Sequence, residues 1–246
     1  QEFEIEIQRR EPVVLKVKPV DLDLMRIAEK LALLSDPKLG QTLKRFSARF
    51  GLCNSHLKEL AIYQTSDARF QKHTPKLFHS MQSEVRQIYL LTLERLEGME
   101  LLDSLDHGQS FEKHHIEEAL RGLAELQSIW YGREAELKAA PWMGPIPSRL
   151  EALALQTLWL QLAEHAHNEF PKNFTAEDLA RNRLYIERID HWWGALDDMP
   201  KTLVHNDFGP RNLAFRKLSG ELRLCVYDWE LATVHVPQRD LVELLS

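Results

Sequence analysis

Phe3, Ile5 and Ile7 alternate with Glu4, Glu6 and Gln8 at the start of the chain, the period of a half-buried strand. Arg9-Arg10-Glu11-Pro12 reads as a turn. Val13-Val14-Leu15-Lys16-Val17-Lys18 follows as a second strand stopped by Pro19, so the two predict a hairpin. The period then changes. Leu24, Ile27, Ala28, Leu31 and Leu34 have helical spacing over residues 21–34, ended by Asp36-Pro37. Leu39, Leu43, Phe46 and Phe50 predict a second helix, while the mixed pattern of 51–75 assigns no element. Residues 76–81 and 85–93 read as two short strands with Ser83 in the turn.

Beyond Leu93 the chain turns helical. Ser110 opens an amphipathic run through Ile116, Leu120, Leu123, Leu126 and Trp130, closed by Gly132. A proline-rich connector, 141–147, precedes helices predicted at 149–168 and 176–197, whose starts carry Ser148 with Glu151 and Thr175 with Asp178 at capping-box spacing. Short strands at 202–205 and 223–227 flank a loop. The expected class is α+β, with a strand-rich part over 1–96 and a larger, mainly helical part over 97–246, jointed near 94–98. No internal repeat or low-complexity tract interrupts this order.

Composition narrows the function classes. The 246 residues are 44% hydrophobic and 28% charged, which excludes collagen-like and disordered chains. The net charge of −6 gives no bulk attraction for nucleic acid, so none is expected as a partner. No apolar run has membrane-spanning length, and the N-terminal residues are not a signal peptide. The two cysteines, Cys53 and Cys225, build neither a disulfide framework nor a zinc site, and a cytoplasmic, reducing location is expected. Among eleven histidines, His165 and His167 point to different helix faces and His114 and His115 are adjacent, so none is read as a metal ligand.

One segment carries chemistry. His205-Asn206-Asp207 is followed by Asn212, and a strand then delivers Asp228-Trp229-Glu230. Phosphoryl transfer asks for these residue types together. It needs a carboxylate to orient and deprotonate an attacking hydroxyl and hard oxygen ligands for Mg²⁺ on a triphosphate. Asp207 suits the first task, and Asn212 with Asp228 the second. The bland alternative is a loop in which Asp207 and Asn212 cap turns.

These residues resemble the aminoglycoside phosphotransferase and choline kinase-like family, most closely over 200–246. The resemblance implies a bilobal protein-kinase-like fold, with a small antiparallel-sheet lobe and a larger helical one. It implies transfer of the γ-phosphate of ATP, with Mg²⁺, to a hydroxyl of a small molecule. By the same resemblance His205 braces the catalytic loop, Asp207 is the base, and Asn212 and Asp228 hold magnesium. Gly209, where protein kinases usually carry a lysine, and Asp228-Trp229-Glu230 in place of D-F-G favour a small-molecule kinase over a protein kinase. Asn206 makes the spelling H-N-D, which is similar to choline and ethanolamine kinases.

The family also uses a lysine on the phosphates and an acid that holds it. Lys16 is chosen over Lys18, which shares its strand face, and Glu29 on the following helix is the expected acid. Residues 90–98 resemble the family's hinge, so Glu94 and Leu96 are expected to offer main-chain groups to the adenine. The family's phosphate-covering loop would precede residue 3, and its later helices would follow Asp240, so a truncated chain is expected. A nucleotide-binding pseudokinase is the alternative from another class. Trp192, Trp193 and Trp229 suggest either an aromatic cage for a quaternary ammonium or ordinary helix packing, the second being favoured.

Overall fold

The computed structural model describes residues 11–49, 53–101, 112–218 and 220–245. The expected strand at 3–8 and the helix start at Ser110 lie outside them. The first described elements are β1 (Val13–Val17), α1 (Asp21–Ser35) and α2 (Pro37–Phe46). Then come α3 (Ser55–Tyr63), α4 (Ala68–Lys72), β2 (Leu77–Ser83), β3 (Ile88–Glu94) and β4 (Glu100–Leu101). The helical stretch holds α5 (Lys113–Ser128), α6 (Glu134–Ala139), α7 (Arg149–Ala154), α8 (Gln156–Glu169), α9 (Ala176–Glu187) and α10 (Ile189–Asp197). The chain continues through β5 (Thr202–Val204), β6 (Leu213–Leu218), β7 (Glu221–Val226), β8 (Thr233–His235) and α11 (Gln238–Leu245).

All strand pairing among the described residues is antiparallel, in three small sheets ordered β1-β3-β2, β4-β6-β7 and β5-β8. The molecule is thus a mixed helix and sheet protein. The first sheet is set by burial: β3 alternates half-buried and buried positions, with Tyr89, Leu91 and Leu93 turned inward. β1 lies at its edge among the described residues, Lys16 opposite Leu91.

The helices start where their caps dictate. Asp36 accepts hydrogen bonds from the N–H groups of Lys38 and Leu39 ahead of Pro37, which fixes the start of α2. Thr175 and Asp178 close a capping box on α9, and the Ser148 hydroxyl accepts from Glu151 N–H on α7. Two expected helices are each broken once. The run over 149–168 bends at Leu155, which turns inward with Leu158 against Leu39 and Phe46 of α2. The run over 176–197 is interrupted at Arg188, which leaves helical geometry at φ −102° and ψ 16° between α9 and α10.

The largest buried cluster runs through Leu60 and Ile62 of α3, Phe70 of α4, Leu91 of β3, Leu126 of α5, and Leu203, Phe208, Phe215, Val226 and Trp229. It contains residues from both sides of position 96. Gly122 lets α5 press onto β7, because a Cβ there would meet the Leu224 side chain at 2.6 Å. This packing brings the end of β7 beneath α3 and β1. No helix among the described residues is long and apolar enough to cross a membrane.

Candidate active site

β5 is buried at all three positions and delivers His205 into the core, 1% exposed. Its Nε2–H donates to the Tyr227 carbonyl at 2.9 Å, and its ring meets Trp229 edge to face at 4.7 Å. Burial pushes the His205 pKa below its ordinary value despite the nearby Asp240. The ring thus ties the segment after β5 to the end of β7.

Asp240 of α11 is fully buried and accepts the backbone N–H groups of His205 at 3.0 Å and Asn206 at 2.8 Å, with Gln127 adding a third hydrogen bond at 3.1 Å. Burial raises its pKa, opposed by His205 and these N–H groups. Asn206 sits at φ 64°, a left-handed conformation that asparagine tolerates better than most residues. Its side chain donates to the Leu231 carbonyl at 3.2 Å and accepts from Arg239 Nε at 3.1 Å. Asp240 is a positioning residue that the sequence reading did not single out.

The next turn gathers the chemistry. Asn212 Nδ2 donates to both the main-chain oxygen and Oδ2 of Asp207, each at 2.8 Å. Arg211 Nη2 reaches the two Asp207 carboxylate oxygens at 2.7 and 2.9 Å. Tyr227 N–H donates to the Asn212 carbonyl at 3.1 Å, so the strand that ends beside Asp228 is pinned to the loop that carries Asp207. Asp228 itself takes φ 68° and ψ 60°, turning the chain out of β7.

Across from it, Lys16 Nζ lies 2.6 Å from Asp228 Oδ1 and 2.8 Å from Glu59 Oε1. Lys18 Nζ lies 2.8 Å from Glu59 Oε2 and pairs with Glu230. Burial pulls the Lys18 pKa down, but Glu59 and Glu230 together outweigh it and the net shift is upward. Ligand oxygens of Glu59, Asp228 and Glu230 lie within 4.8 Å of one another. Two ammonium groups thread this carboxylate cluster, which lowers the repulsion that would otherwise forbid it.

The acid on Lys16 is therefore Glu59 of α3, not Glu29. Glu29 makes no hydrogen bond or ion pair among the described residues. Its helix, α1, packs on α2, whereas α3 packs against the turn Trp229–Leu231 that follows Asp228. The helix nearest in sequence to the strand is not the one beneath the lysine. Glu59 lay in the stretch without an assigned element. Leu57, Leu60 and Ala61 carry a short helical spacing around it, the one signal that marks it.

Glu94 ends β3 opposite Val13, and its N–H donates to the Lys76 carbonyl at 2.9 Å. Its carboxylate binds Arg216 at 2.8 Å. Leu96 is half-buried in the segment that follows. Trp229 is a core residue, 2% exposed against Phe70 and His205, and takes no part in an aromatic cage. Cys225 is likewise buried, and burial pushes its thiol up to about 12. His115 uses Nδ1 to accept from Glu112 N–H and Nε2 to bind Glu100, so both nitrogens are occupied.

The donor set fits magnesium. Asn212 spends its Nδ2 on Asp207, which leaves Oδ1 as a neutral oxygen ligand, and Asp228 offers a partly exposed carboxylate. Both are hard oxygens, the kind of ligand magnesium takes, and neither is sulfur or imidazole.

No curated protein and no solved structure matches the chain significantly. The sequence model of the phosphotransferase enzyme family matches residues 41–246, which includes Glu59 and the whole segment from His205 to Glu230. Lys16 and Lys18 precede the matched region, and their convergence on Glu59 is visible only in the structure. With that match over most of its length and the geometry above, the chain belongs to the phosphotransferase enzyme family.

Proposed function

We propose that the protein transfers the γ-phosphate of ATP to a hydroxyl of a small molecule, with magnesium, on a bilobal protein-kinase-like frame whose parts meet at Lys16 and Asp228. The observation that carries this reading is the bridge of Lys16 between Glu59 and Asp228. A lysine held by a buried acid beside a metal-binding carboxylate is the electrostatic arrangement that phosphoryl transfer uses.

Asp207 orients the acceptor hydroxyl and takes its proton. The acceptor oxygen forms a bond to the γ-phosphorus while the bond from that phosphorus to the β–γ bridging oxygen breaks, and ADP leaves with the electron pair. Asn212 fixes the Asp207 carboxylate for this task through its 2.8 Å hydrogen bond. Asn212 and Asp228 would hold magnesium, which when bound draws charge from the β- and γ-phosphates. Lys16 swings its charge between Asp228 and the phosphates, with Glu59 as its fixed point. His205 and Asp240 keep the loop in register. The two free cysteines, Cys53 and Cys225, support a reducing, cytoplasmic setting.

The test is transfer of label from γ-labelled ATP to pooled hydroxyl compounds. Transfer by the wild type that disappears in Asp207→Asn supports the reading. Transfer that persists in Asp207→Asn overturns the assignment of the base. Mg·ATP binding without transfer to any member of a broad pool would favour a nucleotide-sensing pseudokinase.

A further inference from the structure

We infer that the acceptor is an uncharged molecule with an apolar ring system, seated in an aromatic cavity beside the catalytic loop; this rests on the phosphotransferase reading above. The cavity, about 390 Å³, lies between the connector 145–148 and helices α7 to α10. Trp159, Tyr185, Ile189, Trp192 and Trp193 line it, and so does Asn206, the residue next to Asp207. A molecule in it therefore lies against the loop that carries the base.

Its walls are mainly apolar and aromatic, and two of the indole N–H groups are already engaged. Trp192 Nε1–H already donates to the Tyr185 carbonyl at 2.9 Å, and Trp193 Nε1–H to Asp197 at 3.1 Å. The two indoles lie 5.4 Å apart at 37°, and Trp192 and Tyr185 are 38% and 60% exposed. Exposed aromatic surface of this kind around a concavity marks a binding site. The volume falls at the lower end of the range of about 300–1,000 Å³ for small-molecule sites.

Charge argues against a cationic acceptor. Among the described lining residues the charged side chains are Arg49 and Glu151, and these are paired with each other at 3.3 Å. An ammonium entering the cavity would lose its water without gaining a free carboxylate. The indole faces alone would have to replace that hydration, with no opposite charge to help. An uncharged ring stacks on the same indoles without that cost.

The experiment is calorimetric titration of the full chain with 2-naphthaleneethanol, choline and kanamycin, and separately with Mg·ATP. Trp192→Ala and Trp192→Phe are the variants. Expected is saturable binding of 2-naphthaleneethanol, weakened about tenfold or more in Trp192→Ala and restored in Trp192→Phe, with Mg·ATP affinity unchanged in both. Choline and kanamycin should give no saturable binding. Binding of choline or kanamycin that depends on Trp192 overturns the inference. So does a failure of 2-naphthaleneethanol to bind, or its binding equally well to Trp192→Ala. Loss of Mg·ATP binding by the wild type, with the naphthalene alcohol still bound, would instead strike at the phosphotransferase reading.

Discussion

Lys16 and Asp228 are 212 positions apart in the chain, yet the ammonium of one lies 2.6 Å from the carboxylate of the other. The contact joins the edge strand β1 to the residue that leaves β7. Neither residue is deeply buried, and a partly exposed pair of this kind adds little to stability. Its value is positional: it marks where a lysine on the phosphates and an acid on the metal would face each other.

Lys16 and Lys18 should separate function from stability. Lys18 is 5% exposed and balances the fully buried Glu59. Lys18→Met should destabilise the fold by about 3 kcal/mol, because Lys18 is itself buried, far more than Lys16, and pairs with Glu230 as well as Glu59. Lys16→Met should cost less than about 1 kcal/mol, since Lys18 remains on Glu59, while weakening Mg·ATP binding about tenfold or more. Denaturant unfolding and nucleotide titration of both variants check the pair.

Glu59 and Glu29 offer a second contrast. Glu59→Gln should lower catalytic efficiency about tenfold or more, through loss of the group that anchors Lys16. Glu29→Gln should change stability by no more than about 0.5 kcal/mol, as for ordinary surface positions, and leave activity within about twofold. Equal losses in the two would contradict the placement of α3 beneath β1.

Asp207→Asn should lower kcat about 10²- to 10⁴-fold, the worth of a positioned general base. Asn212→Ala should lower it as well and also weaken the magnesium dependence. Circular dichroism of Asp207→Asn should match the wild type, because that carboxylate is not fully buried. Steady-state kinetics against magnesium concentration reads both effects.

Acid should weaken the fold through two histidines. Burial lowers the pKa of both His205 and His235 below 6.5, and at His235 Arg239 and Lys201 add to the shift. The unfolded chain then binds protons at these sites before the folded chain does. Their contribution to stability is therefore full above about 6.5 and is lost as pH falls through the folded-state pKa. Asp240 acts in its own window, since a raised carboxylate pKa gives stability that fades as pH rises above its unfolded value. His205→Gln, which keeps a donor for the Tyr227 carbonyl, should flatten the acid limb of stability against pH below about 6.5. Thermal melts across pH measure this.

The catalytic loop was legible because its signal is local. Asp207 and Asn212 are five positions apart, and a single side-chain hydrogen bond spans them. Lys16 was legible only as one of two, since strand alternation puts it on the same face as Lys18, and the structure shows both reaching Glu59. Glu59 was not legible, because α3 is nine residues long, lies in a mixed pattern, and owes its place to packing against Trp229–Leu231. Asp240 was missed for a related reason. Its partners are backbone N–H groups more than thirty residues earlier, which leave no trace in side-chain spacing. The breaks at Leu155 and Arg188 likewise carry no proline or glycine that would mark them in the sequence.

The central claim is that Lys16, Asn212 and Asp228 assemble around a magnesium nucleotide, and calorimetric titration of ATP into the wild type and Asp228→Asn, with and without Mg²⁺, tests it most directly. The account predicts saturable binding that requires Mg²⁺ in the wild type and weakens about tenfold or more in the variant. Wild-type affinity that is absent, or identical without Mg²⁺ and in Asp228→Asn, would contradict it.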